Sequence, residues 1–196
     1  MLDHTKKTYK FSSIMQTTTR PSNGQLAPRI AVNLDTLAER TFDELDAMYR
    51  AASAPESLHA ADGVLVGRML AMRGADRGPL ARWLRRLAIS PGFAWRGKTL
   101  AAHDADRGEG VNRISLGNVL GRQNLFPFAS RFGRSLFDGK QTIIIDYDRP
   151  ANPPYMRRIH DEVRELEPRL FLGIDMWKTA RGSVGLVWFA LDGRAN

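Results

Sequence analysis

KQTIIIDYDRPANPPYMRRIHDEVRELEPRLFLGIDMWKTARGSVGLVWFAL, residues Lys140–Leu191, is the stretch that decides the fold. Lys140–Asp148, His160–Leu166, Leu170–Lys178 and Ser183–Leu191 alternate in character and are separated by Pro, Gly, Asp or Asn. Period-two alternation sends successive side chains to opposite faces, which suits a strand with one covered side. Upstream, Phe93–His103, Glu109–Asn118 and Phe126–Ser135 read the same way, and Asp62–Met72 opens the series with Gly63 and Gly67 inside it. Eight short runs with turn residues between them predict an antiparallel sheet closed into a barrel. About eight strands is the size whose interior just holds one small ligand.

Composition narrows the function classes. The 196 residues suffice for one substantial core, and four Trp and nine Phe supply bulk for it. There is no cysteine, which removes disulfides, thiolate metal sites and a thiol nucleophile and fits a reducing, cytoplasmic setting. Lys6, Lys7 and Lys10 have no apolar run behind them, so no secretory signal is expected. The net charge of +8 concentrates between Arg68 and Lys98, where eight basic residues stand against Asp76 alone. Without a reading motif, such a patch predicts weak, salt-sensitive contact with anionic membranes or polyanions and no specific nucleic-acid partner.

Helical signals are few. Residues 1–33 are Thr-, Pro- and Gly-punctuated and read as a flexible arm. A helical turn fits Asp35–Arg40. Thr41 and Glu44 then form a capping box, and Phe42, Leu45, Met48, Tyr49 and Ala52 follow at helical spacing until Pro55. This predicts a helix over 42–53, within an N-terminal segment 34–56, whose apolar stripe plugs one end of a barrel domain spanning 57–196. Pro79 starts a second, short basic amphipathic helix, with Leu80, Trp83, Leu84 and Leu87 opposite Arg82, Arg85 and Arg86.

Gly63-Val64-Leu65-Val66-Gly67-Arg68 after a helix, with Trp95-Arg96-Gly97-Lys98 on the second strand, resembles the calycins, the lipocalin and fatty-acid-binding group of barrels. Phe137-Asp138-Gly139-Lys140, Asp146-Tyr147-Asp148, Asn152-Pro153-Pro154, Asp161–Glu165 and Leu170–Gly173 extend the likeness to bacterial barrels of this kind, over roughly residues 57–192. Leu65 stands where the group's Gly-x-Trp-x-Gly signature has tryptophan. The resemblance implies a mainly β, calycin-like barrel that binds a small hydrophobic or amphipathic molecule as a carrier, sensor or sequestering protein. It does not carry over haem, because His4, His59, His103 and His160 stand in no matching motif.

The residues themselves offer chemistry in two places. Asp146 and Tyr147 end an apolar strand, so a carboxylate or phenol there is the candidate for acid–base catalysis of an isomerase, cyclase or hydratase type. Alternatively, Asp146, Arg113 and Arg164 form a buried ion network that only fixes register. For ligand binding, Trp95, Trp177 and Trp188 sit on three strands with glycines nearby, and alternation places Trp95, Gly97 and Thr99 on one face. Lys98, Asn112, Arg113, Glu162 and Arg164 are the expected polar contacts of the cavity they enclose. His160 can pair with Glu162, but no third ligand stands at diagnostic spacing, so neither metal nor cofactor is expected. The sequence assigns no oligomeric state.

Overall fold

The computed structural model describes residues 31–75, 94–116 and 121–194, together with 78, 79, 82, 86 and 88. The arm expected over 1–33 and most of the helix expected from Pro79 lie outside the described residues. Eight strands run in chain order: β1 Gly63–Met72, β2 Trp95–Ala102, β3 Arg107–Ser115, β4 Arg122–Arg134, β5 Gln141–Asp146, β6 Ile159–Glu167, β7 Leu170–Thr179 and β8 Gly182–Asp192. Each pairs antiparallel with the next, and β1 pairs with β8 to close the barrel. Closure leaves no sheet edge, and sequential neighbours need only short connections. The expected mainly β, eight-stranded antiparallel barrel is what the chain forms.

Alternation divides the strands into two apolar layers. Leu65, Leu100, Phe128, Ile143, Ile145, Val163, Phe171 and Leu191 fill the interior, joined by Leu58 and Ala61 of a 3-10 turn at Leu58–Ala61. The Leu58 amide donates to the Ala105 carbonyl in the β2–β3 hairpin, fixing the turn to that end of the barrel. The opposite faces of β7 and β8 present Leu172, Ile174, Trp188 and Ala190, and these meet the two helices.

Those helices are α1, Leu34–Ala38, and α2, Phe42–Ala51. Thr41 and Glu44 form the expected capping box, with each side chain accepting from the other's backbone amide. Phe42, Leu45 and Tyr49 are buried against the outer wall beside Trp188. The helix therefore does not plug the barrel. The 3-10 turn takes that place, because α2's stripe matches an apolar outer face that would otherwise be wet.

Three irregularities shape the interior. The β1–β2 ladder ends at the Val66–Gly97 pair, and around Gly97, whose φ is 114°, the β2–β3 register shifts between Trp95 and Lys98. A Cβ on Gly97 would lie 2.1 Å from the Leu65 carbonyl oxygen, so only glycine allows this bulge. The slip overrides the alternation that grouped Trp95 with Gly97 and Thr99; Trp95 instead shares the interior with Lys98 and Leu100. Further shifts occur at Gly110/Asn112 opposite Phe126, a residue at φ 57°, and between Asp175 and Met176. Gly97→Ala should cost at least about 1–3 kcal/mol from the left-handed backbone alone, measurable as a lower urea midpoint.

Candidate functional site

The interior is dry at the end closed by Leu58 and hollow at the other. There, where β1, β3, β5 and β7 end and β2, β4, β6 and β8 begin, lies a cavity of about 260 Å³. That is just below the roughly 300–1,000 Å³ typical of small-molecule pockets. Its apolar wall includes Met69, Trp95, Ile114, Phe126, Val187 and Phe189. Wall aromatics pack closely against glycines: a Cβ on Gly67 would meet the Trp95 ring at 2.5 Å, and one on Gly173 the Phe189 ring at 2.3 Å. The glycines thus seat the rings, and the free volume lies beyond them.

A connected polar cluster forms the floor. Lys98 is 2% exposed, and its ammonium sits 3.0 Å from an Asp161 carboxylate oxygen. It also donates to Asn112 Oδ1 at 3.0 Å and to the Tyr147 hydroxyl. The ammonium is thus ion-paired with one carboxylate and donates to two further oxygens. Around it stand the rings of Trp95, Phe128, Tyr147 and Phe189, with centroids 5.2–5.6 Å from Nζ. A buried cation needs both a counter-charge and full hydrogen bonding, and Lys98 has both, with cation–π contact added.

Tyr147 and Asn112 tie the cluster to the strands. The Tyr147 hydroxyl donates to Asp161 Oδ2 at 3.1 Å and accepts from Asn112 Nδ2 at 3.1 Å. Trp95 Nε1 donates to Asn112 Oδ1 at 2.9 Å. Burial, then the Asp161 charge, holds the Tyr147 phenol well above its ordinary value, so it stays protonated as a donor.

Two features remain unbalanced. Asp161 is 2% exposed, yet its Oδ1 has no hydrogen-bond partner. Directly opposite on β7 stands Asp175, also lining the cavity. Burial, then the Asp161 charge, pushes Asp175 up to about 7 against the opposing pull of Lys98. Sequence reading missed both acids. Their signal was there: a single acid inside Phe171-Leu172-Gly173-Ile174-Asp175-Met176-Trp177, and another before Val163.

Four of the residues expected at the site meet here: Trp95, Lys98, Asn112 and Tyr147. The others are placed elsewhere. Asp146 points away from the interior and pairs with Lys178 at 2.9 Å; burial opposes its ionisation, but the Lys178 contact and the Asp148 amide keep its carboxyl below the ordinary value. Arg113 alternates with Asn112 and does not line the cavity. Trp188 alternates with Phe189 and packs outside on Phe42, Tyr49 and Phe137. Trp177 keeps the face of Asp175 but lies beyond the cavity near the end of β7, with the Arg158 guanidinium 5.2 Å from its ring. The expectation that Trp177 and Trp188 line the cavity is corrected accordingly.

Glu162 and Arg164 belong to a second buried network, on the outer wall beneath α2. Glu162 accepts from the Ser135 hydroxyl, the Leu136 amide and the Tyr49 hydroxyl, and pairs with His160 Nε2 at 3.3 Å. Burial works against its charge, but the bonds from His160, Ser135 and Leu136 together hold its carboxyl below the ordinary value. Arg164 forks onto both Asp138 oxygens at 2.6 and 2.7 Å and donates to the Tyr49 and Gln141 carbonyls. That contact lowers Asp138 to about 2. The expected network of Asp146, Arg113 and Arg164 is thus replaced by one that clamps helix and hairpin to the wall.

The Arg68–Lys98 patch is thinner than its composition suggests. Lys98 is buried, Arg68 pairs with Asp35, and Arg73 lies over the Phe42 ring while donating to the Gly185 carbonyl. Among the described residues no group of three His, Asp or Glu is placed to hold a metal, and no helix is long and apolar enough to cross a membrane. No family model, no curated protein and no solved structure matches the chain.

Asp175 makes the site's stability depend on pH. Unfolded, it loses its proton near the ordinary 3.8; folded, only near 7. Between those values the folded chain holds the extra proton, so this group's contribution falls as pH rises. Asp175→Asn should stabilise the fold at about pH 8 by on the order of a few kcal/mol, seen as a higher melting temperature, and change it little near about pH 4.

Proposed function

We propose that the protein binds a small, largely apolar molecule in the open half of the barrel. The observation that carries this reading is the coexistence of a hollow, aromatic-walled mouth with a hydrogen-bonded polar floor built on the Lys98–Asp161 pair. A barrel that only needed a core would extend the Leu65–Phe128–Val163 packing to both ends, since well-packed interiors leave few voids larger than a water molecule. Instead Gly97 is spent on a bulge that carries Trp95 and Lys98 inward together.

Cavity size refines the class. A single ring with a short substituent, or a short branched chain, matches the cavity of about 260 Å³. The role of carrier, sensor or sequestering protein follows from reversible occupancy of such a site. Ethylbenzene is a suitable probe. Proton–nitrogen correlation spectra of the full chain should show the Trp95 indole N–H shifting on titration, with micromolar to low-millimolar affinity. Val187→Phe, which adds bulk inside the cavity, should weaken binding about tenfold or more while the rest of the spectrum keeps its dispersion. Shifts confined to surface amides, with Trp95 unmoved, would refute the reading.

A further inference from the structure

We infer that the cavity selects a ligand carrying an amine or other cationic hydrogen-bond donor, received at Asp175 on the wall it shares with Asp161; this rests on the proposed binding function. Three observations meet at that point. First, Asp161 Oδ1 is an enclosed carboxylate oxygen with no hydrogen-bond partner, so the charge on this wall is incompletely satisfied by the protein. The Asp161 side chain is almost wholly enclosed, and its other oxygen already takes Lys98 and Tyr147.

Second, the charges facing this wall do not cancel. Asp175 on β7 is met by Asp161 from β6, by Lys98 from β2 and by Tyr147 after β5, while Val187 on β8 contributes no charge. Among the described residues Lys98 is the one cation lining the cavity, and it pairs with Asp161 and donates to Asn112 and Tyr147. An ionised Asp175 therefore leaves one negative charge uncompensated within the cavity. Third, the remaining walls are aromatic: Trp95, Phe126 and Phe189 offer ring faces that favour a cation and an apolar body alike.

An ammonium on a short apolar body satisfies all three at once. It pairs with Asp175, adds positive charge beside the enclosed Asp161 carboxylate and keeps its body against the rings. Because it favours ionised Asp175, its affinity rises with pH until that carboxyl is fully deprotonated.

Benzylamine and ethylbenzene have nearly the same shape and differ in this one group, so calorimetric titration of the full chain with each separates the terms. At about pH 8, benzylamine should bind about tenfold or more tightly than ethylbenzene, the ratio expected for one charge-assisted hydrogen bond. At about pH 5.5, where Asp175 holds its proton, most of that preference should vanish. Asp175→Asn should remove the preference for benzylamine over ethylbenzene and its pH dependence. Ethylbenzene binding with equal or weaker benzylamine binding at both pH values would overturn this inference and leave the cavity reading standing. An Asp175→Asn variant that kept the amine preference would also overturn it. Binding of neither compound would overturn it together with the reading on which it rests.

Discussion

The buried Lys98–Asp161 pair is the contact on which the interior depends. A full charge inside a barrel is tolerable only when paired and hydrogen-bonded, and removing one partner of such a pair typically costs about 3–5 kcal/mol. Several otherwise separate features serve it. The bulge at Gly97 brings Lys98 inward from β2. Tyr147, one residue past β5, reaches across to share Asp161, and Asn112 on β3 bridges lysine, phenol and the Trp95 indole. Strands β2, β3, β5 and β6 are thereby locked in one register at the level where the dry core gives way to the cavity. The hollow above can stay open because the floor beneath it cannot collapse.

A second constraint acts from outside. β6 carries charge on both faces, with Asp161 inside and His160, Glu162 and Arg164 outside, and all four are buried. The outer three are covered because α2 and the 135–140 hairpin close over them, each ending on a Glu162 or Arg164 contact. The helix and the barrel are therefore joined by oriented polar bonds as well as by the Phe42–Tyr49–Trp188 stack. This fixes where α2 sits on the wall more tightly than apolar packing alone would.

Much of this fold is legible in the sequence. The eight strands fall where alternation and turn residues put them, and Thr41–Glu44 announces α2. Which face looks inward is harder to read. Trp188 and Phe189 are equally apolar neighbours, so hydropathy cannot say which one points in. On β6 the pattern Asp161-Glu162-Val163-Arg164 offers charge to both faces. At Gly97 a one-residue slip reverses the parity for the rest of β2, so Trp95 and Lys98 both face inward where strict alternation would separate them. Asp161 and Asp175 escaped notice because each looks ordinary alone. Only the β6–β7 register sets them face to face.

The division of the interior into a packed half and a hollow half is the central physical claim, and xenon tests it without assuming any ligand chemistry. Xenon enters apolar voids and leaves well-packed cores empty. Crystals of the full chain under xenon pressure should show one ordered atom or more among Trp95, Phe126, Val187 and Phe189, and none around Leu65, Phe128 and Val163. A mouth that takes up no xenon, with those side chains collapsed onto one another, would contradict it.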